Sequence, residues 1–283
     1  MPTMTLAQAG LWGSRELAFN SDTAHLDAAV LLSEVLQCSR AYLIAESGSF
    51  LKPEQELLYR QHITRRKQGE PLAYIVGHKE FWSLDLQVTP DTLIPRSETE
   101  LLVELLLQLF PAKNQRQRVA DLGTGSGAVA LALAQERPSW EIFATDQSIA
   151  ALRVATQNAA NLGINNIQFC QGVWCQALPV LLFDALLSNP PYLTEQEWRV
   201  RPPELSFEPR SALVSGLDGL RDLQIIIASA KQYLSPEGYL LLEHGATQAG
   251  QVQAILMQAG YVEIVSYHDL AGMDRVTVGR CLK

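Results

Sequence analysis

The sequence predicts a doubly wound, mostly parallel seven-stranded α/β sheet preceded by a small helical domain, and three observations carry that expectation. From residue 118 onward, apolar runs short enough to be strands alternate with segments of helical periodicity. The first run opens directly into a glycine-rich turn and an alanine-rich helix, "VADLGTGSGAVALALA" (119–134). Residues 1–70, by contrast, space their apolar side chains by three and four.

In the leading segment, "HLDAAVLLSEVL" (25–36) and "EQELLYRQHI" (54–63) read as amphipathic helices, with "ESGSF" (46–50) and Pro53 as breakers between them. From 71 to 96 the pattern changes to partial alternation rich in aromatic and β-branched residues, which predicts a hairpin linking two domains. The expected domains are therefore 1–74, a linker at 75–96, and 97–283. Phe81 and Trp82 read as packing between the domains. Ser97 with Glu100 three residues on predicts a capping box that opens a helix over "SETELLVELLLQLF" (97–110). Strands are expected at 118–123, 141–146, 167–171, 183–189, 238–245, 261–269 and 275–282. Helices are expected near 126–136, 148–161, 219–234 and 247–259. In sheets of this kind ligands bind beyond the carboxyl ends of the strands.

Apolar residues form 47% and charged residues 18% of the 283, a balance that suits a folded enzyme and excludes intrinsic disorder. A formal charge of -8 disfavours nucleic acid as a partner, because the bulk field repels phosphate. The longest basic run, Arg65-Arg66-Lys67, reads as a solvated helix face. Four cysteines without a CxxC pair, no signal-peptide pattern and no 18-residue apolar stretch lead to a cytoplasmic expectation with no membrane partner. The five scattered histidines give no metal site.

Gly123, Gly125 and Gly127 let the backbone turn tightly and approach a ligand, and the following helix N-terminus offers free N–H groups. Asp146 ends the second strand of the sheet, where a carboxylate accepts both hydroxyl protons of a ribose. Together they point to an adenosine-containing cofactor. Asp121, just ahead of the loop, repels a pyrophosphate but suits the ammonium end of S-adenosylmethionine.

"LLSNPPYLT" (186–194) follows the fourth strand, so Asn189 emerges beside the same crevice. Pro190 and Pro191 fix their φ angles and lack N–H groups, which leaves a stiff cluster of acceptors. The Asn189 oxygen and the Pro190 carbonyl can accept both protons of one NH₂ group, while the ring of Tyr192 stacks on a planar substrate. That describes a socket for an amide or an amino-heterocycle.

With both motifs quoted, the chain resembles the HemK-type release factor glutamine methyltransferases nearly end to end. The resemblance runs through "GEPLAYIVGHKEFWSLDLQVTPDTLIPRSETE" (69–100), "DLGTGSGAVALALA", "SNPPYL", "FEPRSALVSGLDGLRD" (207–222), "LLLEHG" (240–245) and "GMDRVTVGR" (272–280). It implies a class I, Rossmann-like methyltransferase domain behind a helical substrate-binding domain. It further implies S-adenosyl-L-methionine as cofactor, S-adenosyl-L-homocysteine as product, a class-I peptide chain release factor as substrate, and a monomer. Carried over, it sets the cofactor against Gly123, Thr124, Gly125, Ser126, Gly127, Asp146, Trp174 and Asn189. The glutamine lies against Asn189, Pro190, Pro191 and Tyr192, with Asn189, Pro190 and Tyr192 as the catalytic group. Trp174 would flank the adenine, and the departure is Val173, where the family often has a polar residue. Arg96 and Glu100 either roof the site or hydrogen-bond within the linker. Glu243 and His244 read as a satisfied strand-end pair rather than a general base.

Three other readings stand beside this one. An adenine-N6 nucleic-acid methyltransferase shares NPPY but calls for a basic groove, which an acidic chain lacks. A nicotinamide-dependent oxidoreductase leaves NPPY and Asp121 unexplained, and intact NPPY argues against a non-catalytic binding module.

Overall fold

A computed structural model describes residues 3–282; the outermost residues of the expected first and last domains, 1–2 and 283, lie outside them. The chain forms two units: the segment up to His78 together with Pro202–Phe207, and Lys79–Arg201 together with the segment from Glu208.

Among the described residues the first unit holds five α-helices, α1 (Leu6–Leu17), α2 (Ala24–Leu36), α3 (Arg40–Ala45), α4 (Pro53–Lys67) and α5 (Leu72–Val76), and a 3₁₀ turn at Pro203–Phe207. Thr5 and Gln8 exchange backbone and side-chain bonds in a capping box that starts α1. Pro53 occupies the start of α4, where its missing N–H costs nothing. Leu17, Leu31, Leu32, Tyr59 and Ile63 form the core. The expectation of a solvated basic face fails at Arg66, which is buried. Arg66 Nε donates to Asp27 at 2.7 Å and its Nη1 to Glu204 at 2.5 Å, while Ser21 and Thr23 donate to the same Asp27 carboxylate. Only Arg65 and Lys67 face water, paired with Glu70 and Glu16.

The linker differs from its expectation as well. Residues 72–76 form a helix because Ala73, Tyr74 and Ile75 bury against α2 and α4, and Gly77, at φ +84°, ends it. The hairpin is confined to β1 (His78–Phe81) and β2 (Leu84–Gln87). Residues 88–96 carry Pro90 and Pro95, which cannot donate to a ladder, and turn instead through a Thr92 N–H bond to the Thr89 carbonyl. Phe81 is buried in the second unit's own core with Trp82 packed against it, where the sequence predicts packing between domains. The Ser97–Glu100 capping box is also absent. Residues Ser97–Thr99 form one 3₁₀ turn before α6 (Glu100–Leu109), and Glu100 instead accepts the Trp82 backbone N–H at 2.8 Å.

Beyond α6 the second unit alternates as expected: β3 (Arg118–Leu122), α7 (Ala128–Glu136), β4 (Glu141–Asp146), α8 (Ile149–Leu162), β5 (Ile167–Gln171), β6 (Phe183–Ser188), α9 (Glu195–Arg199), α10 (Arg221–Ala230), β7 (Leu234–Glu243), α11 (Ala249–Gln258), β8 (Tyr261–His268) and β9 (Asp274–Cys281). The strands order as β5-β4-β3-β6-β7-β9-β8, all parallel except β9, which runs antiparallel to both neighbours. Inner strands bury both faces, as a sheet covered on each side requires. Val119, Ala185, Leu187 and Leu241 join the layer of α6 and α7; Ala120, Leu122, Leu186, Leu240 and Leu242 join the layer of α10 and α11. From β3 the chain steps outward to β4 on one side, and its other neighbour is β6. Strand order therefore reverses between β3 and β6, and a crevice opens at their carboxyl ends.

Removing Asp27 leaves the buried Arg66 Nε without its partner and half-exposed Glu204 as the remaining carboxylate, so Asp27→Ala should lower stability by about 3 kcal/mol in chemical denaturation. Glu16→Ala, which frees only exposed Lys67, should change it by less than about 1 kcal/mol. Similar values for the two variants would show that the Asp27–Arg66 pair does not hold α2 to α4.

Candidate active site

The crevice holds a cavity of about 230 Å³. Gly123 and Gly125 from the loop after β3, Asp146 from the end of β4, Trp174 after β5, and Asn189 and Pro191 after β6 all line it. These belong to the residues singled out from sequence, and parallel strands deliver them to one edge.

The loop is shaped by sterics. Gly123, Gly125 and Gly127 all have positive φ, at +77°, +56° and +87°. A Cβ on Gly123 would stand 2.7 Å from the Trp174 ring, and one on Gly127 would stand 3.1 Å from the Ala155 Cβ of α8. Gly123 thus admits the indole, and Gly127 admits a neighbouring helix. The Asp146 carboxylate ties this loop to the next turn, accepting the Gly125 N–H at 2.9 Å and the Ser148 N–H at 2.8 Å. Each oxygen keeps a further lone pair, so the carboxylate can still accept hydroxyl donors from the cavity.

Asn189 is held by its nitrogen. Its Nδ2 donates to the Thr99 hydroxyl at 3.0 Å, which leaves the carboxamide oxygen as the end available to the cavity. Ser188 Oγ donates to the Leu122 carbonyl at 2.6 Å and fastens the end of β6 to the end of β3. Tyr192 and Leu193 donate backbone N–H groups to the Leu213 carbonyl, and Gln248 Nε2 donates to the Tyr192 carbonyl. The turn is therefore rigid on both sides.

Other expected residues stand behind the wall. Pro190 and Tyr192 do not line the cavity; Tyr192 is half-buried, its phenol pushed up to about 12 by burial and then by the charge of Glu243. Thr124 donates to Asp121 at 2.6 Å, and the Ser126 carbonyl accepts Asn158 Nδ2. Asp121 is buried, and burial pushes its carboxyl up to about 6 against the hydrogen bonds from Thr124 and Ala130. The carboxylates that line the cavity are Asp146 and Asp91. Among the described residues no cluster of three or more His, Cys, Asp or Glu side chains could hold a metal, and no helix is long and apolar enough to cross a membrane.

Comparison with known proteins decides the family. The PrmC N-terminal domain model matches residues 8–77 and the methyltransferase small domain model matches 98–202. The release factor glutamine methyltransferase of Coxiella burnetii is 50% identical, covering 94% of this chain and 95% of that protein. Its Escherichia coli counterpart is 42% identical, over 92% and 93%. The chain belongs to the release factor glutamine methyltransferase family. Likeness also extends to the Thermus thermophilus 16S rRNA N2 G1207 methyltransferase, at a TM-score of 0.53 and 16% identity over 72% of this chain and 49% of that one, which concerns the fold alone.

The segments that carried the resemblance to release factor glutamine methyltransferases meet in space. Glu208, of "FEPRSALVSGLDGLRD", pairs with Arg96 and accepts the Ile94 N–H at 3.0 Å, so it clamps "IPRSETE" from two sides. Glu100 serves the hairpin and does not line the cavity, nor does Arg96. Sequence reasoning missed Thr99 in the same motif, and it missed the wall formed by Pro90, Asp91, Thr92 and Leu93, whose two-proline spacing was the available signal. Of the strand-end pair, His244 is satisfied, its Nε2 2.7 Å from Thr277 Oγ1 and its Nδ1 3.0 Å from the Gly245 carbonyl, and burial holds it below its usual range. Glu243 is not: its Oε2 has no hydrogen-bond partner among the described residues.

Gly123→Ala meets both a positive φ and the Trp174 ring, whereas nothing lies within 4 Å of a Cβ on Gly125. Gly125→Ala should cost about 1–2 kcal/mol of stability from backbone strain, and Gly123→Ala at least about 1 kcal/mol more. Denaturant titration of the two variants checks this; equal losses would mean the indole does not constrain Gly123.

Proposed function

We propose that this chain transfers the methyl group of S-adenosylmethionine to the side-chain amide nitrogen (N5) of the glutamine in the Gly-Gly-Gln motif of class-I peptide chain release factors. The observation that carries this reading is the Asn189 carboxamide, tied off at its nitrogen and lining the cavity that Asp146 and the glycine loop also line. The names of the Coxiella burnetii and Escherichia coli relatives support the same reaction and substrate.

The residues present fit the cofactor. Asp146 has lone pairs left for ribose hydroxyls, Gly125, with nothing within 4 Å of where a Cβ would stand, leaves the backbone open to close approach, and Trp174, seated over Gly123, offers a flat face for adenine. Val173 also lines the cavity, so the position where the family often has a polar group adds an apolar wall here. When bound, S-adenosylmethionine supplies a methyl group activated by its sulfonium.

The task left to the protein is orientation. An amide nitrogen is a poor nucleophile because its lone pair is delocalised into the carbonyl. Asn189 Oδ1 accepts one of its protons, and the Pro190 carbonyl, in the peptide unit joined to the lining residue Pro191 although the Pro190 ring stands behind the wall, accepts the other; together they fix the nitrogen in line and stabilise the charge that grows on it. Holding the reactants so is worth an effective molarity of the order of 10⁵ M or more, and each acceptor contributes roughly 3 kcal/mol by analogy with oxyanion-hole donors. The surplus proton leaves to water after transfer, so no general base is required. The helical domain expected over residues 1–74 grips the release factor, a role supported by the exposed apolar side chains of Ile44, Phe50 and Leu57. A cytoplasmic location suits a substrate of the translation machinery.

The test is transfer of radiolabel from S-adenosylmethionine to a release factor, to its Gln→Ala variant, and to DNA. Label on the wild-type release factor alone is expected; label on DNA would replace this reading with adenine methylation. Asn189→Ala should lower turnover about 100-fold or more while S-adenosylhomocysteine affinity changes only a few-fold. Unchanged turnover would remove Asn189 from the mechanism.

A further inference from the structure

Glu243 ends β7 at 1% exposure, and the methyl transfer described above gives it no task. A buried carboxylate with one unpartnered oxygen is costly to maintain, which directs attention to what its other contacts do. Thr99 is the neighbour that most opposes the effect of burial on the Glu243 carboxyl, and the Thr99 hydroxyl accepts Asn189 Nδ2–H at 3.0 Å. The turn before α6, the end of β6 and the end of β7 thus bring Thr99, Asn189 and Glu243 together.

We propose that Glu243 and Thr99 are positioning residues that hold the Asn189 carboxamide with its oxygen, rather than its NH₂ group, toward the acceptor nitrogen. The inference rests on the reading of Asn189 as an acceptor of amide protons. The two ends of a carboxamide have nearly the same shape, so sterics alone cannot choose between them. Turned over, Asn189 would point N–H groups at the N–H groups of its substrate. A threonine hydroxyl both donates and accepts, so it selects one orientation only when its own proton is committed elsewhere. A carboxylate accepts and cannot donate, and it takes that proton. The direction then runs from Asn189 Nδ2–H to Thr99, and from Thr99 O–H to Glu243.

Protonated, Glu243 gains a donor and the direction can reverse. Burial pushes its carboxyl up to about 7, with Thr99, Arg275 and Arg96 opposing and Glu98 adding to the rise. Tyr192 also faces it, and its phenol, pushed up to about 12, stays neutral in this range. Arg275 is shared with Asp269 at 3.1 Å, and Arg96 with Glu208, so neither cation is committed to Glu243. Glu243 is ionised above about pH 7 and protonated below it, so turnover should fall as pH drops through that value.

The full-length protein with S-adenosylhomocysteine bound gives a readout that needs no substrate: the exchange rate of the Asn189 side-chain amide protons by NMR. Thr99→Val, which keeps the shape and removes the hydroxyl, should speed that exchange about tenfold or more and lower kcat on a release factor by about 10–100-fold. KM and S-adenosylhomocysteine affinity should stay within about threefold. Thr99→Ser should restore both exchange and kcat to within about threefold of wild type, and Glu243→Gln should abolish the fall in kcat below pH 7. Unchanged exchange in Thr99→Val, equal losses in the serine and valine variants, or persistence of the acidic limb in Glu243→Gln would each overturn the proposal. Should wild type methylate no release factor, the proposed reaction fails, while the exchange rates still decide the positioning role.

Discussion

The reversal of strand order between β3 and β6 is the constraint on which the site depends. Adjacent parallel strands usually feed connections that leave in the same direction, which closes the space above them. Here β3 leads outward to β4 while β6 leads toward β7, so the loops after β3 and β6 part over an open crevice. The Ser188 bond to the Leu122 carbonyl keeps the two strand ends level. A glycine loop on one side and Asn189 on the other therefore face one cavity, without any long-range folding of loops to bring them there.

Once that crevice exists, its walls are fixed by polar groups that are each used twice. Asp146 orders two backbone N–H groups and keeps lone pairs for a ligand. Glu208 clamps the "IPRSETE" segment by an ion pair and a backbone bond. Asp121 and Glu243 are the costly members, since burial raises both above their ordinary carboxyl values of 3.8 and 4.5, to about 6 and about 7. For groups raised in the folded state, the stabilisation is complete below about pH 4 and is lost as pH rises through about 6 and about 7. That two such groups are retained beside one cavity is the pattern expected where function rather than stability sets the residue.

Much of this was legible in the sequence because it depends on local rules. Strand-helix alternation gave the sheet, since periods of two and 3.6 survive without knowledge of neighbours. The glycines and Asp146 were legible because only those residue types satisfy a tight turn and a ribose at strand ends. What was not legible depends on partners distant in the chain. Residues 72–76 carry a strand-like composition yet form a helix because α2 and α4 bury them. Arg66 looks like its basic neighbours until Asp27, 39 residues away, draws it inward. Glu100 offered a capping box to Ser97, but the hairpin's Trp82 N–H claimed its carboxylate. Thr99 was hidden for the same reason, because its partner Asn189, 90 residues on, is brought to it by sheet topology.

The most direct test of the central claim is a crystal structure of the protein with S-adenosylhomocysteine and a peptide containing Gly-Gly-Gln. The glutamine amide nitrogen should lie about 2.9 Å from both Asn189 Oδ1 and the Pro190 carbonyl, facing the cofactor sulfur. A glutamine bound away from that sulfur, or an Asn189 carboxamide turned so that its NH₂ group meets the substrate, would contradict the account.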